Sequence, residues 1–256
     1  MLELYYMISA VVLTHNDGKM LTRCLENLQW CDETVVVDDE STDGTVGIAK
    51  KLGTKVFTRK LDGDFAAQRN FGLGKAKGEW VLFVDSDEVV STELAGEIKT
   101  TISDKRQAIS GYFIKRKDYF LGKWLEHGET ANVKLLRLAR QDVGKWNRPV
   151  HEVWDVQGPV GELTHPLFHS PHPSVAQFLD EINRYSTLNA SYLYKQGVRA
   201  SWWHIIVYPA AKFFINYIWR LGFADSTAGA IMALMMSFHS FLTRAKLWQL
   251  IAYVKQ

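Results

Sequence analysis

A chain of 256 residues, 47% hydrophobic and 23% charged, holds enough apolar material for one α/β catalytic domain with appendages, or for two small domains. Its formal net charge of +2 gives no general argument for a nucleic-acid partner. The two cysteines, Cys24 and Cys31, make neither a disulfide framework nor a metal quartet, and they suit a reducing compartment.

Residues 1–6 have no basic stretch and no cleavage motif, so no secretory signal is read there. Residues 7–14 are a short apolar run with β-branched side chains, which reads as a buried strand. Helical spacing of Met20, Leu21, Cys24, Leu25 and Leu28 predicts a helix over 19–28. A second buried strand over 34–37 runs into Asp38 and Asp39. A short helix over 45–52, closed by Gly53, leads to a third strand over 55–58. A helix over 65–76 and a fourth strand over 80–84 follow, the strand running into Asp85, Asp87 and Glu88. A helix over 92–103 has Thr92 as its expected N-cap. Such alternation is the pattern of a mostly parallel sheet, in which ligands bind beyond the carboxyl ends of the strands. The two acid clusters should therefore share one edge of the sheet.

After about residue 110 the pattern changes. Strands are expected over 111–115 and 133–138, joined by an aromatic, charged loop over 118–128 that contains Trp124. An amphipathic helix over 174–196 is capped by Ser174 and stopped by Gly197, and two further helices are expected over 202–223 and 227–254. Nine tryptophans and an aromatic-rich, Ala-rich tail mark the C-terminal segment as specialised.

Four constellations carry chemistry, the fourth being His151-Glu152. In the first, Ser41, Thr42 and Asp43 read as turn and cap residues, but that does not account for adjacent acids at a strand end. A carboxylate there can accept from a base imino N–H or a ribose hydroxyl. In the second, Asp85, Asp87 and Glu88 repel one another unless a cation shares them. Oxygen ligands suit Mg²⁺ or Mn²⁺, and such an ion would bridge the phosphates of a nucleotide sugar and stabilise a departing diphosphate. In the third, Arg69 precedes the second acid strand by one helix, from where it could reach phosphate oxygens or lie on the surface.

Together, the strand ending at Thr14, the Asp38–Asp39 pair with Ser41–Thr45, Arg69–Asn70 and Asp85–Ser86–Asp87 resemble the N-terminal half of a family 2 glycosyltransferase. Arg148–Glu152, the tail motif at 221–226 and Lys246–Trp248 resemble the lipopolysaccharide-core β-glucosyltransferases within it. The tail departs from that pattern, with Ala224-Asp225-Ser226 where Asp-Gly is expected. The resemblance implies a GT-A type, Rossmann-like nucleotide-diphospho-sugar transferase fold and inversion at the anomeric carbon. It divides the chain into a catalytic domain over 1–172, with a nucleotide-sugar half over 7–90 and an acceptor half over 91–172, and a helical extension over 173–256. By the same resemblance Thr14, Asp38 and Asp39 contact the base, Asp85 the ribose or metal, Asp87 the metal and Arg69 the diphosphate. Trp124 and Arg148 join the substrate-binding candidates. UDP-glucose is the first donor expected, with Mg²⁺ or Mn²⁺ as cofactor.

An inverting transfer needs a base for the acceptor hydroxyl. Glu152 is the expected base, with His151 second because imidazole titrates near neutrality. His165, His169 and His172 are broken up by prolines and read as a rigid loop rather than a zinc site, although one of them could complete a Mn²⁺ shell. Over 202–220 an aromatic stretch has Lys212, Asn216 and Arg220 at fourfold spacing. That suits a helix lying in a membrane interface, and the uncharged stretch 226–243 suggests an in-plane or re-entrant helix or packing on a second chain. The expected setting is the cytoplasmic face of the cell membrane, with a lipid-linked saccharide as acceptor. Transfer to polyprenyl phosphate, which needs no base, and a non-catalytic nucleotide-sugar-binding module are the alternatives. A nucleotidyltransferase is disfavoured because Thr14-His15-Asn16-Asp17-Gly18 stands where a Gly-rich, Arg-containing loop is required.

Overall fold

The computed structural model of the chain describes residues 6–104 and 108–253. The stretch 1–5, read above for a leader, and Val254, read as the end of the last helix, lie outside the described residues. Two compact units emerge, residues 1–116 with 134–169, and residues 117–133 with 170–256.

In the first unit, β-branched runs form a parallel sheet because both their faces are buried. The elements β1 (Ile8–Thr14), α1 (Gly18–Glu26), β2 (Glu33–Asp38), α2 (Thr45–Lys51), β3 (Lys55–Thr58), α3 (Phe65–Leu73) and β4 (Trp80–Asp85) follow the expected order. β2 and β4 flank β1 in parallel, and β3 lies beyond β2. Alternate side chains serve two cores. Val12, Val36 and Leu82 pack with Leu21, Leu28 and Ile98 on one face, while Val11, Val35 and Phe83 pack with Trp146 and Trp154 on the other. After β5 (Glu88–Val90) and α4 (Thr92–Ser103), β6 (Gly111–Phe120) starts a mixed half of the sheet. The N-cap of α4 is Ser91 and not Thr92, because the Ser91 hydroxyl accepts from Leu94 N at 3.2 Å. β8 (Lys134–Arg140) pairs antiparallel with both β4 and β6. β9 (Gly144–Asn147) and β10 (Val153–Val156) form a hairpin of their own. β11 (Val160–Glu162) adds to β6, and β12 (Leu167–His169) pairs antiparallel with β5.

A buried carboxylate locks the start of this sheet. Glu33 accepts from the Ser9 hydroxyl, Lys77 N and the Lys55 ammonium. Burial raises its pKa, but these donors outweigh burial and hold it below the ordinary glutamate value. A carboxylate with a lowered native pKa contributes stability that is complete above its unfolded pKa and is lost as pH falls through the native one. Glu33→Gln should therefore cost about 2 kcal/mol near neutral pH, the worth of one or two charge-assisted hydrogen bonds. The cost should shrink towards zero in strong acid, read by urea unfolding across a pH series.

The second unit is built from the rest of β6, a two-residue strand β7 (Lys123–Trp124) and three helices, α5 (Val175–Lys195), α6 (Trp202–Phe214) and α7 (Ser226–Tyr253). The segment read as a loop is partly a hairpin. Tyr119 and Phe120 pair with Trp124 and Lys123 across Leu121 and Gly122, both at positive φ (46° and 85°), the backbone that a tight hairpin turn demands. The Ser174 hydroxyl caps α5 by accepting from Gln177 N, and Gly197 (φ 75°) follows its end, as expected. The single helix expected over 202–223 is instead interrupted. After Phe214 comes a π-helical turn, Ile215–Trp219, then a 3₁₀ turn, Gly222–Asp225. Leu221 and Ser226 are left-handed at φ 57°, which no continuous helix allows. The predicted polar face is partly turned inward. Lys212 Nζ and Asn216 Nδ2 both reach the Glu129 carboxylate, at 2.7 and 2.8 Å; Asn216 is buried, Lys212 half-exposed and Arg220 exposed. Buried Asp225 fixes the turn by accepting from Glu126 N and His127 N at 2.9 and 2.8 Å.

Candidate active site

The parallel register brings the two acid clusters to one edge. Thr14 stands opposite Asp38, and Leu13 opposite Asp85. Thr14 and Asp38 are buried, and Thr14 Oγ1 and Asp38 Oδ1 have no hydrogen-bond partner among the described residues. Buried polar atoms without partners are uncommon, and these two sit side by side at the strand ends. The other Asp38 oxygen accepts from Ser41 N at 3.0 Å. Asp39 lies one residue further out. Its Oδ1 accepts from Leu61 N at 2.7 Å, and its Oδ2 lies 3.7 Å from His15 Nδ1. Asp43 Oδ1 accepts from Thr45 N at 2.9 Å, a local turn bond from one residue ahead of the α2 N-cap, which is Gly44 and not the expected Asp43 or Ser41.

The second cluster is wired by cations of the protein itself. Asp85 Oδ1 accepts from Arg69 Nη2 at 2.8 Å, and Asp85 Oδ2 accepts from Arg137 Nη2. Burial would raise the Asp85 pKa, but the two guanidiniums hold it far below the usual carboxylate range. Glu88 is fully buried. Its Oε2 accepts from Asp85 N at 2.8 Å, which closes the Asp85–Glu88 turn, and its Oε1 lies 3.3 Å from Arg137 Nη2. Burial pushes the Glu88 pKa up, and Arg137 offsets this only in part. Asp87 Oδ2 lies 3.3 Å from His169 Nε2. The Asp87 pKa is lowered, since His169 outweighs burial. The Ser86 hydroxyl donates to Asp17 Oδ2 at 2.8 Å. The repulsion that suggested a shared metal is thus already offset by two arginines and a histidine.

Arg69, expected to face the diphosphate, is instead buried and shared. Its Nε donates to Glu152 Oε1 at 2.7 Å while its Nη2 holds Asp85. The guanidinium lies over the Trp146 ring, 4.8 Å from its centroid. An alternating row of charge results: Glu88, Arg137, Asp85, Arg69, Glu152. The row reaches Glu152 because α3 carries the β9–β10 hairpin. Asn70 exchanges two 2.8 Å hydrogen bonds with the Trp146 backbone, and Phe65 N donates to Pro149 O at 2.9 Å. Glu152 sits at the end of the hairpin loop, its side chain 16% exposed. Arg148 and His151 in the same loop are exposed and hold positive φ, 69° and 54°, a strained backbone that tends to mark functional loops. Trp124 falls in the second unit, edge-on to Tyr119 with ring centroids 5.0 Å apart.

Sequence reasoning missed Arg137 and the closing role of Glu88. The available signal was a lone arginine in the apolar run Leu135-Leu136-Arg137-Leu138-Ala139. The three histidines take three separate carboxylates. His165 pairs with Glu97, His169 with Asp87 and His172 with Glu181.

Among the described residues no group of three or more His, Cys, Asp and Glu is arranged to hold a metal. Asp85 is a poor ligand, since Arg69 and Arg137 each take one of its oxygens. A divalent cation would have to be held by Asp87 and His169, 3.3 Å apart, and would supply charge stabilisation to phosphate oxygens.

With this geometry in hand, comparison with known proteins is decisive. The sequence profile of glycosyl transferase family 2 matches residues 9–152. The chain belongs to that family. The lipopolysaccharide core biosynthesis glycosyltransferase LpsC of Rhizobium meliloti is 30% identical over 254 residues, covering 94% of this chain and 92% of that one. An uncharacterized glycosyltransferase of Rickettsia felis is 28% identical over 256 residues, covering 94% and 89%. Among solved structures, S. aureus TarS superposes with a TM-score of 0.50 at 17% identity, over 95% of this chain and 54% of that one. TarS 1–349 in complex with UDP-GlcNAc gives 0.50 at 19%, over 97% and 87%. The family 2 chain is a glycosyltransferase with a GT-A type fold and a helical C-terminal region.

Proposed function

We propose that this family 2 glycosyltransferase moves a sugar, glucose in the first instance, from a UDP-sugar to a saccharide of a lipopolysaccharide core or another lipid-linked glycan, with inversion. The role named for LpsC supports the acceptor class, and the UDP-GlcNAc bound by TarS supports the nucleotide. The observation that carries the mechanism is Glu152, a partly exposed carboxylate held by Arg69 one guanidinium away from Asp85.

In this reading Thr14, Asp38 and Asp39 take the nucleoside. The unpartnered Thr14 Oγ1 and Asp38 Oδ1, together with Asp39, offer the acceptors that uracil and ribose need. Glu152 takes the proton of the acceptor hydroxyl as its oxygen attacks the anomeric carbon. A carbon–oxygen bond forms on one face, the bond to the diphosphate breaks on the other, and UDP departs. Arg69 orients Glu152 and fixes Asp85, so one buried cation positions both halves of the reaction. Asp87 and His169 would hold a divalent cation, which supplies charge stabilisation to the departing diphosphate.

Calorimetric titration with UDP, with and without Mn²⁺, tests the donor assignment. UDP should bind, more tightly with the cation. Asp39→Ala should weaken UDP at least tenfold, the cost of one hydrogen bond to a charged acceptor, with the fold intact by circular dichroism. Binding of GDP in place of UDP would overturn the donor.

A further inference from the structure

Charge is unevenly spread along the chain. Residues 195–256 hold seven lysines and arginines against one acid, Asp225. The remainder, residues 1–194, has 23 basic and 27 acidic side chains. Asp225 is buried and engaged by His127 and the 126–127 backbone, so it presents no negative charge to solvent. From Val198 to Ala224 the sequence has no acid at all.

The same segment exposes large apolar side chains that a soluble surface does not normally collect. On α6 and the turns after it, Trp202 is 71% exposed, Ile206 62%, Phe214 57%, Trp219 79% and Phe223 49%. Trp202, Ile206 and Phe214 recur at intervals of four and eight residues, one stripe of a helix. Where α6 meets α7, Pro209 is buried and its carbonyl accepts from Ser237 Oγ of α7 at 2.8 Å. Among the described residues no single helix is long and apolar enough to cross a membrane. The segments Trp202–Trp219 and Gly222–Tyr253 pass that test only as a pair bent by 71°. The bend is built in, since Asn216 is buried against Glu129 and Asp225 pins the turn. Its outer corner carries Trp219, exposed Arg220 and Phe223.

We propose that the α6 stripe and this corner are a docking surface for an anionic phospholipid bilayer, entered to the depth of the headgroups. Three features converge on that occupant. A tryptophan at the start of the stripe, Trp202, and another on the corner, Trp219, suit the interfacial layer, where an indole buries its rings and keeps its N–H wet. Arg199 and Arg220 flank the stripe with no carboxylate partner among the described residues, and basic side chains beside an apolar face select negative lipid. The adjoining Lys212 is neutralised by Glu129, which leaves the flanking arginines as the charges offered outward. A second copy of this chain would meet like charge, because the same acid-free surface would face itself.

Sedimentation of the full-length protein with vesicles tests this without any sugar acceptor, so its outcome is independent of the proposed reaction. Vesicles of phosphatidylcholine with phosphatidylglycerol should bind the protein, and phosphatidylcholine alone should bind it weakly. Added salt should lower the first affinity. Trp219→Glu should weaken binding at least tenfold. The Arg199→Glu, Arg220→Glu double variant should weaken binding to anionic vesicles by 25-fold or more, at about fivefold for each charge neutralised, and should leave neutral vesicles unaffected. UDP titration of each variant reports that the nucleotide site is intact. Equal binding by both variants, or no binding to anionic vesicles, would overturn the proposal. Self-association abolished by Trp219→Glu, in protein indifferent to vesicles, would assign the surface to a second copy instead.

Discussion

Glu152→Gln should leave UDP binding unchanged and lower the transfer rate by about 10²- to 10⁴-fold, the range that a positioned general base contributes. The substitution is mild in structural terms. A glutamine oxygen still accepts from Arg69 Nε, which now donates to Glu152 Oε1 at 2.7 Å, so the β9–β10 hairpin keeps its anchor. What disappears is a carboxylate able to take a proton. The loss should therefore fall on kcat, with donor KM nearly unmoved. His151→Ala serves as the internal comparison: the imidazole is exposed on a left-handed residue of the same loop, and its removal should cost far less than Glu152→Gln. A Glu152→Gln enzyme with full activity would point to an acceptor that arrives already anionic, such as a polyprenyl phosphate.

Arg137→Met should destabilise the protein by about 3–5 kcal/mol, the cost of leaving buried carboxylates without their cation. Arg137 is itself buried and serves Asp85 and Glu88 together. Without it, burial would push the Glu88 pKa further above its unfolded value, while Asp85 would keep only Arg69. A group with a raised native pKa contributes stability below the unfolded pKa and loses it as pH rises, so the deficit should be largest at neutral and alkaline pH and smaller near pH 4. Chemical unfolding of the two proteins across that range reads the difference. Adding Glu88→Gln should recover part of the loss by removing one of the stranded charges. A deficit independent of pH would mean that Arg137 contributes by packing alone.

How far the sequence could be read follows from the reach of each interaction. β1 to β4 and their helices were legible because their signals are local: valine runs, turn residues and strand-end acids a few positions apart. Their parallel order then placed Asp38 and Asp85 on one edge with no further information. The electrostatic wiring was not legible, since Arg137 stands 52 positions from Asp85 and Glu152 stands 83 from Arg69. Spacing left Arg69 either reaching phosphate or lying on the surface, and the family resemblance favoured phosphate, whereas the fold gives Arg69 two carboxylates and an indole. The bend after α6 was hidden for a related reason. Apolar periodicity runs through residues 202–223, and only the burial of Asn216 and Asp225 against the segment 126–129 breaks it. Among the histidines, sequence could reject a single helical face but could not tell that His169 alone would meet Asp87.

The indoles of Trp146 and Trp154 lie face to face, 5.3 Å apart and 20° from parallel, with Phe83 edge-on to both. Two identical chromophores held that close exchange excitation, so the pair carries its own circular-dichroism couplet, set by their separation and angle. One of them is also the ring beneath Arg69. The catalytic unit therefore contains an unlabelled optical gauge, sensitive to any loosening of the hairpin that presents Glu152 even while the surrounding helices stay formed.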